Sequence, residues 1–258
     1  MKFNPGFDIY PLYNPLGFRY GQDVFGPQVE NRSLDSIRQN LMDPNCQGPD
    51  IVYAIAMDVG RNQDKKEMLD RNLLYGVVTY AKGQLGKEPV RSQGHIHALS
   101  PSCQMSTCEV YEIWTGEAYI YMQETAIDNP GRCFAVHAKP GEVVIVPPGW
   151  AHCTIVADIH QNLTFGAWCV RDYGFDYQDV RAHKGVAWFP IVEQDKIEFI
   201  ANSHYHKSHL IIKEPRQYTE FQIEKEKSIY QQFIENPDKF MFVSRPQDYQ
   251  ELWKDFIP

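Results

Sequence analysis

The sequence predicts an all-β fold, an antiparallel sandwich or closed barrel, and three observations carry that prediction. Between residues 51 and 200, short apolar runs follow one another at close spacing. Proline- and glycine-containing breakers separate them. No amphipathic helical stretch lies between them, as parallel strands joined by crossover helices would require. The runs at 51–57, 73–82, 90–97, 109–114, 117–123, 133–138, 142–147, 151–156, 163–170 and 186–200 read as strands. Gly83–Gly86, Pro101, Gly116, Asn129-Pro130-Gly131, Pro140-Gly141 and Pro147-Pro148-Gly149 punctuate them.

The flanks have a different texture. Residues 1–30 are rich in Pro, Gly, Asn and Tyr with no period of 2 or 3.6, which suggests an arm laid along a surface by its aromatics. Ser33 then begins a helical signal, with Leu34, Ile37 and Leu41 on one face and Pro44 beyond the end. After about residue 205 helical spacing returns. Ile223, Ile229, Tyr230, Phe233 and Ile234 mark one helix, and Pro246–Phe256 a shorter one, with the charged run 224–227 as the wet side of the first. The expected organisation is therefore an arm and helix over 1–47, a barrel over 48–205 and a helical extension over 206–258.

Composition narrows the function. At 258 residues and 43% hydrophobic content the chain can bury a sizeable core, and 13% aromatics is incompatible with a solvated coil. A net charge of −8 argues against a nucleic-acid partner, which needs a basic face. No apolar run approaches the ~20 residues of a membrane helix, and the opening residues MKFNPGFDIY lack the apolar stretch of an export signal. Six cysteines with no CxxC pair then read as reduced thiols, implying a cytoplasmic location.

The chemistry centres on His95-Ile96-His97. In an extended strand, residues i and i+2 face the same side, so both imidazoles can reach one point. Gly94 precedes the pair, Glu109 starts the next expected strand, and Gly116 follows at a turn. Further on, Gly141-Glu142-Val143-Val144-Ile145-Val146-Pro147-Pro148-Gly149-Trp150-Ala151-His152 reads as a hairpin with His152 opening the returning strand. Two adjacent hairpins in a small barrel can aim four side chains inward at similar height. Three imidazoles and a carboxylate suit Fe2+, Mn2+, Ni2+, Zn2+ or Co2+ and leave coordination positions open for a reactant. Each histidine taken alone is an ordinary strand residue; the spacing of the set is what raises it above that.

This spacing resembles the two signature motifs of the cupin superfamily, HxH…E…G and G…PxG…H, with a longer gap, residues 98–108, before the glutamate. Glu109-Val110-Tyr111, Gly86-Lys87-Glu88 ahead of Gly94-His95-Ile96-His97, and Val146-Pro147-Pro148-Gly149-Trp150-Ala151-His152 resemble the cupin-type glucose-6-phosphate isomerases over roughly residues 48 to 205. The resemblance implies a homodimeric jelly-roll-like barrel. Its expected activity is the interconversion of glucose 6-phosphate and fructose 6-phosphate, in glycolysis and gluconeogenesis, with a bound divalent metal for which Fe2+ is favoured. It implies metal ligands at His95, His97, Glu109 and His152, and catalytic roles for Glu109 and Tyr111. Substrate contacts would come from Tyr53, Ser92, Gly94 and Tyr177, and from Thr79 after a one-residue shift. The arm would cross a partner subunit. Two positions depart from the family pattern: Phe175 stands where a histidine is usual and Cys169 near an expected tyrosine.

An aldose–ketose isomerisation moves one hydrogen between C1 and C2 and one proton between their oxygens. It can run through an enediol with Glu109 as base, or by direct hydrogen transfer; a metal-bound and weakly basic Glu109 favours mildly the direct transfer or a second base. Backbone N–H groups near Gly94, hydroxyls of Ser92, Thr79 and Tyr53, and Lys87 or Arg91 are the groups available to a phosphate. Alternatives are an isomerase of another sugar phosphate, an Fe2+ dioxygenase and a non-catalytic sugar-binding module. His204, His206 and His209 read as a solvated loop, His137 and His160 carry no assignment, and the cysteines read as packing residues.

Overall fold

The computed structural model describes residues 3–258; the first two residues of the expected arm lie outside the described residues. Two packed sheets form the body, as the all-β prediction requires. One is antiparallel throughout, with strands in the order Val143–Val146, Glu109–Thr115, Leu163–Val170, Leu73–Tyr80, Ile51–Met57 and Glu30–Ser33. The other runs Ala151–Val156, Ala118–Gln123, Cys133–Ala138 and Leu210–Lys213. Its last strand is parallel to its neighbour, a pairing for which the long excursion after residue 138 supplies the necessary crossover.

Side-chain alternation decides what each sheet face does. Leu74, Val78 and Tyr80, Tyr111 and Ile113, and Leu163, Phe165, Ala167 and Cys169 point between the sheets. There they meet Ile120, Met122, Phe134 and Val136. The intervening residues Tyr75, Val77, Val110, Trp114 and Trp168 face the other way. They are nonetheless buried, because Phe7 and Ile9 of the arm and Ile229, Tyr230, Phe233, Phe240 and Phe242 of the C-terminal extension cover them. Strands covered on both faces explain the unbroken apolar runs at 73–80 and 163–170.

The chain departs from expectation in several places. The segment expected as a hairpin ending at His152 does not pair with itself, and the strands carrying His95-His97 and Glu109 do not pair with each other. The strand Glu109–Thr115 lies in the six-stranded sheet and Ala118–Gln123 in the other; Val143–Val146 and Ala151–Val156 divide the same way. Both turns therefore carry the chain across the sandwich. The expected strand at 90–97 is broken: Gly94, at φ +89°, interrupts the extended run, and only Ile96–His97 and isolated pairings of Arg91 with Ile155 and His95 with His152 remain. The run 186–200 is two strands, Trp188–Glu193 and Lys196–Ala201, turned by Gln194 and Asp195, both at positive φ. The arm contains a hairpin, Ile9–Tyr13 with Leu16–Tyr20, packed on its own chain's sheet. In the extension the helix is Ile229–Glu235, capped by the Ser228 hydroxyl, so the charged residues 224–227 form a loop and not a helical face. Among the described residues, no helix is long and apolar enough to cross a membrane.

Candidate metal centre

His95, His97, Glu109 and His152 converge, with one ligand atom from each lying within 4.8 Å of all the others. The fold explains how. Glu109 opens an inner-sheet position of the six-stranded sheet; His152 belongs to the four-stranded sheet; and His95 is held beside His152 by paired backbone bonds, His95 N–H to His152 O at 3.0 Å and His152 N–H to His95 O at 2.9 Å. Ile96 and His97 pair with Phe175 and Asp176, which keeps both imidazoles on one side despite the break at Gly94. A Cβ at residue 94 would stand 2.9 Å from Val186 Cγ1, so glycine is required there by space as well as by φ.

The donor chemistry fits a cation. His97 Nδ1 donates to Thr107 O at 2.9 Å and His152 Nδ1 to Trp150 O at 3.0 Å, which directs each Nε2 inward. Those Nε2 atoms lie 3.2 and 3.3 Å from Glu109 Oε2. The Nε2 atom of His95 is buried without a hydrogen-bond partner. Protons on these nitrogens, or one shared cation, satisfy that convergence. Ligands about 2.1 Å from a common ion stand about 3–4 Å apart, close to the spread observed. Burial, and then the charges of His152 and His97, push His95 well below the usual imidazole range, which keeps its lone pair free. Burial pushes Glu109 up, but hydrogen bonds from His152 and His97 outweigh it and hold the carboxylate well below the usual range.

Against His95 and Glu109 opens a cavity of about 60 Å3. Tyr53, Ser92, Tyr111 and Tyr177 line it, together with Phe165 and Phe175. Tyr111 donates to Glu109 Oε2 at 2.7 Å, and the Phe175 ring is 4.5 Å from that of His95, occupying the position where the resemblance leads one to expect a histidine. Ser92 Oγ accepts from Thr154 N–H at 3.0 Å.

Thr79 does not line the cavity. Val78 and Tyr80 do, so by alternation Thr79 faces the arm, where its hydroxyl meets Thr164 Oγ1 at 3.1 Å and Leu163 O at 3.4 Å. The one-residue shift that would match it to the family threonine is what turns it to the wrong face. Arg91 is also unavailable: fully buried, it is spent on Glu88 at 2.6 Å and on the carbonyls of Ser92 and Asn40. Lys87 is exposed and off the cavity wall.

Three residues lining or bordering the centre escaped the sequence reasoning. Cys169 donates to Glu109 Oε1 at 3.4 Å, which makes it more than packing, and Cys153 lies on the cavity wall. Arg32 also lines the cavity; it falls between the arm expected over residues 1–30 and the helical signal that begins at Ser33.

A family model for glucose-6-phosphate isomerase matches residues 38–209, two thirds of the chain and every residue of the four-ligand set. The chain belongs to the glucose-6-phosphate isomerase family. Among family members, it is 29% identical over 157 residues to the glucose-6-phosphate isomerase of Pyrococcus furiosus, covering 60% of this chain and 72% of that one. To the Pyrococcus horikoshii glucose-6-phosphate isomerase it is 29% identical over 154 residues, 60% and 71% of the two chains. Among solved structures, hazelnut vicilin aligns with 50% of this chain and 33% of its own at TM-score 0.36 and 13% identity. A mostly β fold and this cluster of histidines and glutamate occur together in this chain of the family.

Proposed function

We propose that the protein is a metal-dependent isomerase that interconverts glucose 6-phosphate and fructose 6-phosphate, with the metal held by His95, His97, Glu109 and His152. The observation that carries this is the convergence of three imidazoles and a carboxylate beside a cavity lined by the hydroxyl side chains Tyr53, Ser92, Tyr111 and Tyr177, in a chain of this family. The donor set admits Fe2+, Mn2+, Ni2+, Zn2+ or Co2+. Family resemblance supports Fe2+, a homodimeric state and a place in cytoplasmic glycolysis and gluconeogenesis.

A bound divalent ion supplies Lewis acidity toward the sugar's carbonyl and hydroxyl oxygens. The remaining work falls to side chains. Tyr111, whose phenol burial pushes well above its usual range, stays protonated and donates to Glu109 or to a sugar oxygen. The Tyr111–Glu109 pair is the route by which the proton leaves O2 and reaches O1. Glu109 is a weak base for carbon, because imidazoles, a phenol and the Cys169 thiol already occupy its oxygens. That supports direct hydrogen transfer from C2 to C1. Tyr53, Ser92 and Tyr177 supply hydroxyls to the rest of the sugar, and Phe165 and Phe175 help exclude water.

Metal titration of apo-protein with fructose 6-phosphate formation as readout tests the proposal, and inactivity with all five divalent ions rejects it. Unchanged turnover without oxygen separates it from a dioxygenase. Reaction in deuterated water divides the routes, deuterium at C1 or C2 pointing to a carbon base. A second reading, another phosphorylated aldose–ketose pair, is favoured by the apolar Phe175 beside His95; relative kcat/KM on mannose 6-phosphate and ribose 5-phosphate decides it.

A further inference from the structure

A dianionic phosphate must be neutralised in a chain of net charge −8, beside a carboxylate, and the two cations nearest in sequence to the histidines are excluded, Arg91 by its buried pairings and Lys87 by its position. One cation does line the cavity. Arg32 sits on the edge strand Glu30–Ser33, directly opposite Tyr53, which is itself opposite Tyr80. Directly opposed residues share a sheet face. Tyr53 and Tyr80 stack with ring centroids 4.8 Å apart, so Arg32 continues a row that ends in the cavity. The register slips immediately after Arg32, and such a bulge lets the edge strand re-aim a side chain. The guanidinium's charge acts on the phenols of both Tyr53 and Tyr177. Its own ion-pair partner is Glu30, at 3.1 Å, whose side chain is 66% exposed. An ion pair that wet is weak, and a dianion presented to the planar fork displaces it.

We propose that Arg32 is the residue that receives the phosphate and so restricts the site to phosphorylated sugars. This rests on the sugar-phosphate reading of the cavity but not on the isomerase chemistry. Glu30 holds the guanidinium in place until substrate arrives, and Tyr53 and Tyr177 complete the anion's shell from either side. Arg181, stacked 4.7 Å over the Tyr177 ring, lies behind that ring and does not line the cavity.

The test is calorimetric titration of wild type, Arg32→Met and Arg32→Lys with the unreactive glucitol 6-phosphate, with steady-state kinetics alongside. Wild type binds glucitol 6-phosphate and the Met variant binds it about 10- to 100-fold more weakly. The Lys variant, which keeps charge without the fork, falls between. In turnover the Met substitution raises KM for glucose 6-phosphate by the same factor and changes kcat less than threefold. Lys87→Ala leaves both unchanged. Equal affinity of the wild type and a folded Met variant, or no binding of glucitol 6-phosphate by wild type, overturns the assignment. Failure of the isomerase reading shows separately, as phosphate-dependent binding with no fructose 6-phosphate formed by metal-loaded wild type.

Discussion

Glu109 and Glu112 lie three residues apart on one strand, both are buried, and the fold shifts their carboxyls in opposite directions. Glu109 faces inward among imidazoles, a phenol and a thiol, and stays ionised. Glu112 faces outward, under the C-terminal extension, against Tyr75 and Trp114. Its Oε1 accepts from Ile229 N–H at 2.9 Å and its Oε2 has no partner. Burial pushes its carboxyl well above the usual range, more than that amide and Trp114 draw it back. Burial is common to the two, so partners and not depth decide the direction. The inner face of the sheet concentrates charge for chemistry. The outer face disfavours charge and fastens the helix Ile229–Glu235 to the barrel through the Ile229 amide.

The comparison can be broken by exchanging the carboxyls for amides. Glu109→Gln removes a charge the inner face needs, and kcat/KM falls about 10³-fold or more with loss of bound metal, measured by kinetics and metal analysis. Tyr111→Phe leaves the metal in place and lowers kcat about 10²-fold; equal kcat sinks the proton route assigned to it. Glu112→Gln acts the other way, on stability. Because its folded-state value is raised, the contribution of Glu112 to stability is fully present below about 4.5, the ordinary value, and is lost as pH rises toward the folded value. The amide removes that slope and keeps the Ile229 bond. The variant is therefore more stable than wild type at pH 8, on denaturant unfolding, and the difference shrinks toward pH 4. Thr79→Val has the smallest effect, about 1 kcal/mol of stability from the broken Thr164 bond with KM unchanged, and a raised KM would return Thr79 to the site.

Much of the inner face was legible in the sequence because it depends on short-range rules. Period-two alternation and the glycine and proline breakers locate the strands 51–57, 133–138, 151–156 and 163–170 residue for residue. The His95–His97 spacing works even through a broken strand. What stayed hidden depends on pairing between distant segments. Nothing near Arg32 announces that it lies opposite Tyr53, and nothing near Glu112 announces Ile229, 117 residues away. The turns at 116 and 147–150 carry hairpin signals yet cross between sheets, because turn chemistry sets local direction and not which sheet the next strand joins. Gln194 and Asp195 turn a hairpin without a glycine, so the run 186–200 reads as one strand.

Because those turns cross the sandwich, Glu109 hangs from one layer while His152 and its backbone partner His95 hang from the other. Under the function proposed above, an ion gripped from both layers acts as a rivet at the barrel's mouth. Its grip is felt as resistance to melting, growing with the logarithm of free metal concentration. Chelation then does more than silence the enzyme: it loosens the seam along which the two layers would part.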